Sequence, residues 1–351
     1  MTALADSLRR DIAAGGPVTV AHFMAEALGN PAHGYYAGGG RDPLGAKGDF
    51  VTAPEISQMF GELIGLWCVD TWQAMGAPAA FRLVEMGPGH GTLMADALRA
   101  AALVPAFLQA ASLHLVERSE ALRARQARAL ARHEPQWHGA FAEVPDGPAI
   151  IVANEFFDAL PVHQFVATAH GWRERMVGLA EDGEGFALRL APGPTPALTL
   201  LAALAADRDG IAEVCPAGLT LAGDVGAQVA AEGGAALVID YGRCGAIGDS
   251  LQALRDHRRH DPLADPGQAD LTALVDFSAL SRSAGEAGAA VYGPVSQGDF
   301  LCALGIETRA DTLSRGADLR QAADIEAALA RLTSLDAMGE LFQVLAIGDP
   351  A

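Results

Sequence analysis

The chain has 351 residues, of which half are apolar and 19% charged, a globular mixture that excludes a fibrous or disordered protein and allows two domains or one large domain with insertions. Its 43 acidic against 24 basic residues leave a formal net charge of -19. That field repels polyphosphates, so nucleic acid is set aside as a partner, while a locally basic protein segment is attracted; plain solubility explains the same surface equally well. Residues 1–15 carry Asp6 and Asp11 among their arginines and no apolar h-region, so neither a secretory signal nor an acidic-poor transit peptide is expected and the location predicted is cytoplasmic. The longest apolar run, 197–206, is half of the ~20 residues a bilayer crossing takes, and no membrane span is predicted. Cys68, Cys215, Cys244 and Cys302 have no short paired spacing and read as isolated buried thiols.

In chain order, 19–28 places Val20, Phe23, Met24, Ala27 and Leu28 at helical spacing behind Thr19 as N-cap. The glycine-rich stretch 34–49 is a loop. A long one-sided helix is predicted over 55–75, with Ile56, Met59, Phe60, Leu63, Ile64, Trp67 and Cys68 on its apolar face. That stripe serves either core packing or a homodimer. Strand 81–86, a glycine loop and helix 92–102 follow in order, then strand 113–116, helix 120–132 and strand 149–153. This alternation implies a parallel doubly wound sheet whose ligands sit at the carboxyl ends of the strands. Between 162 and 190, alternating runs separated by His170-Gly171 and Glu181-Asp182-Gly183 predict an antiparallel insertion. A helix near 223–232 leads into the buried strand 235–240, and the tail reads as helix 325–335 and strand 341–347.

Three segments that follow parallel strands carry chemistry. Glu85-Met86-Gly87-Pro88-Gly89-His90-Gly91 sets three glycines at alternating positions, where the backbone takes positive φ and a ligand approaches without meeting a Cβ. A dinucleotide fingerprint needs a further glycine where Thr92 stands, and no phosphate-loop Lys follows. The pattern therefore favours a nucleoside without pyrophosphate, S-adenosylmethionine; the alternative is a tight turn that holds no ligand. Glu117 closes the next strand where a carboxylate accepts both ribose hydroxyls, although a strand-end acid is often just solvated. Asn154-Glu155-Phe156-Phe157-Asp158 adds two carboxylates and an amide. A guanidinium keeps its proton above pH 12, so methylating it takes carboxylates that hold it bidentately. Glu155 and Asp158 suit that role; alternatively Asp158 caps a following helix and the two aromatics are core. The polar stretch 255–270 is a candidate lid. Its His257, His260 and Asp261 read as a solvated loop rather than a metal site, and no metal is expected.

Gly48-Asp49-Phe50, the run 54–62, Glu85 to Gly91, Asn154 to Pro161 and Asp240-Tyr241-Gly242 resemble the MidA family of S-adenosylmethionine-dependent methyltransferases. His260-Asp261-Pro262-Leu263, Val275-Asp276-Phe277, Gln297-Gly298-Asp299-Phe300 and Met338-Gly339-Glu340-Leu341-Phe342 extend the likeness almost end to end. The resemblance implies symmetric dimethylation of an arginine in the 49 kDa-type subunit of respiratory complex I, the eukaryotic members being mitochondrial assembly factors. Carried over by position, Glu85, Gly87, Pro88, Gly89 and Gly91 line the cofactor with Asp49 and Asn154, Glu117 takes the ribose, and Asn154, Glu155 and Asp158 form the reacting centre. His90 departs from the arginine or other polar residue common in that slot.

The fold expected is α/β, a class I methyltransferase doubly wound sheet of seven mostly parallel strands, with a helical N-terminal cap and an antiparallel insertion. Its segments are 1–78 (cap and glycine-rich loop), 79–161 and 235–351 (core, with the lid-like loop 255–270) and 162–234 (insertion and helix). Two competing functions remain open on the sequence. One is a non-catalytic assembly chaperone that keeps the cofactor pocket, and the other a nucleotide-dependent oxidoreductase.

Overall fold

The computed structural model describes residues 2–37, 45, 48, 49, 51–203 and 210–350. Most of the loop expected over 34–49, Phe50 of its motif and the end of the 197–206 run lie outside the described residues. The chain divides into two compact units of three stretches each: 1–50, 158–220 and 244–279 form the first, and 51–157, 221–243 and 280–351 the second.

The second unit is built on a sheet whose order is Ala290–Ser296, Phe342–Gly348, Gly234–Arg243, Ala149–Asn154, Phe81–Met86, Ala111–Val116 and Gln136–His138. The last five run parallel, and Phe342–Gly348 runs against both of its neighbours. All six residues of Ala149–Asn154 are buried, as a strand covered on both faces requires, which is why it reads as an unbroken apolar run. After Phe81–Met86 the chain adds strands on one side, then returns to add Ala149–Asn154 on the other. The order reverses at that point, where open α/β sheets bind their ligands.

The helix expected over 55–75 is two helices, Ala53–Ile56 and Gln58–Ala74. Ser57 is extended (φ -160°, ψ 140°), and its hydroxyl accepts from the Met59 N–H at 3.2 Å, so it caps the second helix and ends the first. The apolar stripe Met59, Phe60, Leu63, Ile64 and Cys68 is core. Gly61 and Gly65 let Gln58–Ala74 meet Thr92–Ala101 backbone to backbone, since a Cβ on Gly65 would stand 2.4 Å from the Ala97 carbonyl oxygen.

The first unit carries the antiparallel insertion. Its sheet has the order Val18–Thr19, Gly171–Leu179, His163–Thr168, Ile211–Val214, with Phe186–Leu190 also paired to Gly171–Leu179. Thr19 caps the helix Val20–Gly29, accepting from His22 N–H at 3.0 Å. The stretch expected as a loop over 255–270 begins instead as a hairpin: Gln252–Arg255 pairs with Arg258–His260, and with Asp270–Thr272 on its other side. The turn residues Asp256 and His257 take φ of +53° and +60°. Neither is glycine, and the returning strand is three basic residues, so no hairpin signal was legible.

Of the four cysteines only Cys68 is buried; Cys215 is half-buried, and Cys244 and Cys302 are exposed. Isolated spacing in the sequence says nothing of burial. Among the described residues no helix is long and apolar enough to cross a membrane.

Candidate active site

The glycine loop follows Phe81–Met86 directly. Gly87, Gly89 and Gly91 have φ of +64°, +54° and +82°, the left-handed region in which a side chain is strained. Gly91 N–H closes the turn onto Pro88 O at 2.7 Å, and Gly91 is the N-cap of Thr92–Ala101. A Cβ on Gly87 would lie 2.7 Å from the Phe156 ring. Glu85 is 3% exposed, and its Oε2 has no hydrogen-bond partner. Burial, and then the charge of Glu117, push its carboxyl up to about 8, so near neutral pH it holds its proton.

Glu117 sits one residue beyond Ala111–Val116. Its Oε1 accepts from Ser119 N–H at 2.8 Å and its Oε2 from the Gln126 side-chain amide at 3.2 Å. Burial raises its pKa, and those hydrogen bonds pull it back.

Asn154 ends the central strand, and its Oδ1 is also buried without a partner. Glu155 follows with φ of +50°, a conformation that costs a non-glycine residue about 1–3 kcal/mol and collects at functional sites. Its Oε1 accepts from Ala53 N–H at 2.9 Å and from the Asn154 amide at 3.2 Å. Asp240, fully buried in the neighbouring strand Gly234–Arg243, holds the turn in place. Its Oδ2 accepts from Phe156 and Phe157 N–H at 3.1 and 2.8 Å, and its Oδ1 from Tyr241 N–H at 2.8 Å. Beside the glycine loop, Thr92 donates to Glu55 at 2.5 Å, His90 lies 3.4 Å from the same carboxylate oxygen, and Arg125 reaches the other His90 nitrogen at 3.0 Å.

The carboxyl ends of adjacent parallel strands thus bring together Glu85, Gly87, Pro88, Gly89, Gly91, Glu117, Asn154 and Glu155. Asp49 and Asp158 lie in the first unit. Asp49 is fully buried and holds local structure there: its Oδ2 accepts from the Tyr35 hydroxyl at 2.9 Å and its Oδ1 from the Asp256 N–H at 2.6 Å, at the hairpin turn. Asp158 is buried in a turn, with its carbonyl accepting from Ala273 N–H at 3.0 Å; no helix follows for it to cap. Phe157 is core and Phe156 half-buried.

Sequence reasoning missed Asp240 and Gln126 as parts of the site. Gln126 had a signal, being a polar residue at four-residue spacing between Leu122 and Leu130 on one helix face. Among the described residues no group of three His, Cys, Asp or Glu side chains is placed to share a metal ion. His260 Nε2 lies 3.9 Å from an Asp265 carboxylate oxygen.

A loop with glycine at its three positive-φ positions, a carboxyl that burial keeps neutral and two buried side-chain oxygens without partners suit a polar nucleoside ligand. Comparison with known proteins agrees. Residues 63–295 match the family model described as "Putative S-adenosyl-L-methionine-dependent methyltransferase". The chain is 38% identical to the mitochondrial protein arginine methyltransferase NDUFAF7 of Danio rerio, over 97% of this chain and 85% of that protein. It is 41% identical to the Homo sapiens protein of the same name, over 89% and 76%. A solved structure from Burkholderia thailandensis, described as a COG1565 superfamily member and likely methyl transferase bound to S-adenosyl-homocysteine, superposes with a TM-score of 0.85 at 32% identity. That match covers 99% of this chain and 92% of the other.

Proposed function

Because the chain belongs to this family of S-adenosylmethionine-dependent methyltransferases, we propose that it methylates an arginine guanidinium on a protein, with Glu155 as the carboxylate that orients the accepting nitrogen. The observation that carries the proposal is the strained and over-determined setting of Glu155. A carboxylate held this firmly, at the carboxyl end of a central strand, matches the demand of a delocalised cation whose nitrogen must be fixed for in-line attack. The relatives named protein arginine methyltransferases support the same reading.

S-adenosylmethionine supplies a methyl group on a sulfonium that leaves as a neutral thioether. Glu155 holds the N–H groups of the guanidinium, localises charge on the attacking nitrogen and takes the proton which that nitrogen sheds as its bond to carbon forms. Asn154 keeps the carboxylate turned toward the substrate. Asp158, three residues further along the same run, is proposed as the second carboxylate. The acceptor we propose is a 49 kDa-type subunit of respiratory complex I, carrying a locally basic segment drawn by the acidic surface.

Glu155→Gln tests this. The variant is expected to bind S-adenosylhomocysteine within about threefold of wild type and to lose methyl transfer by roughly a hundredfold or more, the loss expected of an interaction made mainly in the transition state. Transfer at the wild-type rate removes Glu155 from the chemistry.

A further inference from the structure

Helix Glu120–Ala129 buries Leu122 and Gln126, and Leu130 caps its end, so a carboxamide stands on the buried face of the helix between two leucines. Gln126 is fully buried, and three hydrogen bonds engage it. Its Nε2 donates to Gly89 O at 2.9 Å and to Glu117 Oε2 at 3.2 Å, and its Oε1 accepts from Trp137 Nε1 at 2.9 Å.

The orientation of the amide follows from chemistry. An indole N–H can only donate, so the Gln126 oxygen must face Trp137 and the NH2 group must face the other two partners. Gly89 O and the Glu117 carboxylate can only accept, which suits that orientation and forbids the flipped one. One side chain, set by Trp137 from the edge strand Gln136–His138, therefore fixes both the middle glycine of the loop and the carboxylate one strand away.

We propose that Gln126 is a positioning residue for cofactor recognition, holding the Glu117 carboxylate plane so that its two oxygens meet the two hydroxyls of the cofactor ribose. Glu117 is clamped from both sides, by Ser119 N–H on Oε1 and by Gln126 on Oε2. A carboxylate oxygen accepts more than one hydrogen bond, so each keeps a lone pair for one hydroxyl of a vicinal diol. Released on the Gln126 side, the carboxylate can rotate and serve one hydroxyl at a time. The inference rests on the reading of Glu117 as the ribose carboxylate.

Calorimetric titration with S-adenosylhomocysteine and with its 2′-deoxy analogue tests it without a protein acceptor. Wild type is expected to prefer the full ribose by roughly tenfold or more, the effect of one charge-assisted hydrogen bond. In Gln126→Met the preference is expected to shrink to within about twofold, because the released carboxylate no longer reads both hydroxyls together. Trp137→Phe, which leaves the buried Gln126 oxygen without its donor and so loosens the amide, is expected to fall between. Gln126→Glu sets a second carboxylate against Glu117, so its affinity should recover as the pH is lowered and the pair takes up a proton.

Weakening of both ligands by one common factor in Gln126→Met, with the preference intact, would make Gln126 a core residue only. If that variant does not fold, an undiminished preference in Trp137→Phe overturns the proposal in its place. A wild-type protein with no preference at all removes the ribose role of Glu117 itself, and the inference falls with it.

Discussion

Glu85 is an acid stored in its neutral form. With Oε2 unpartnered and Glu117 nearby, it holds its proton up to about pH 8, against an ordinary 4.5. A ligand that carries a sulfonium and an ammonium favours the carboxylate, so binding near pH 7 should release a proton. Calorimetry in buffers of different ionisation enthalpy should show that release in wild type and not in Glu85→Gln. Buffer-independent heats in wild type contradict it. The same shift governs stability. The folded pKa lies above the unfolded one, so the folded state binds the proton more tightly, and stability falls as pH rises from 4.5 toward 8. Asp270, pushed up to about 7 chiefly by burial, adds to the fall between 3.8 and 7, while His114, pushed down to about 4 chiefly by burial, offsets part of it below 6.5. Thermal melts of the free protein should therefore move downward from about pH 5 to about pH 8; a flat or rising profile contradicts this. At this scale the glycine loop was legible because glycine takes its three positive φ values without strain. The partners of Asp49 were not, because Asp256 lies 207 residues further along the chain.

The contact of Gln58–Ala74 with Thr92–Ala101 governs the element scale, because the second helix starts from the glycine loop. Gly65→Ala would press a methyl group onto the Ala97 backbone, and Gly61→Ala onto Asp96 Cβ at 2.7 Å. Each should destabilise by about 1–3 kcal/mol, as overpacking does. Gly15→Ala, at a helix end with nothing within 4 Å of the added methyl, should be neutral or slightly stabilising. Denaturant melts separate the two, and equal effects at all three positions contradict the packing account. Glu62 ties the same region together, with Arg99 at 2.9 Å and Arg309 at 2.7 and 3.0 Å on its carboxylate. The central strands Ala149–Asn154 and Gly234–Arg243 were legible in the sequence because burial on both faces leaves long apolar runs. The edge strands Gln136–His138 and Ala290–Ser296 were not, since a strand buried on one side carries polar residues and, in the latter, Gly293 and Pro294. The break at Ser57 was hidden because the apolar period continues across it.

Over the whole molecule the chain crosses repeatedly between its two units, each of which is made of three stretches. Strand pairings between distant residues decide such a division, and periodicity does not report them. The net charge of -19 acts at this scale. If it draws a basic acceptor, the KM for the acceptor should rise as ionic strength increases from about 0.05 to 0.5 M, while affinity for S-adenosylhomocysteine, set within the strand-end site, changes little. An acceptor KM indifferent to salt contradicts that role for the surface.

The most direct test of the account is the chemical fate of the methyl group. The protein is incubated with methyl-labelled S-adenosylmethionine and unmethylated 49 kDa-type subunit, and the acceptor is hydrolysed to amino acids. The account predicts that the label elutes as methylated arginine with wild type and is lost with Glu155→Gln. Label on any other amino acid, or equal arginine labelling by the two proteins, contradicts it.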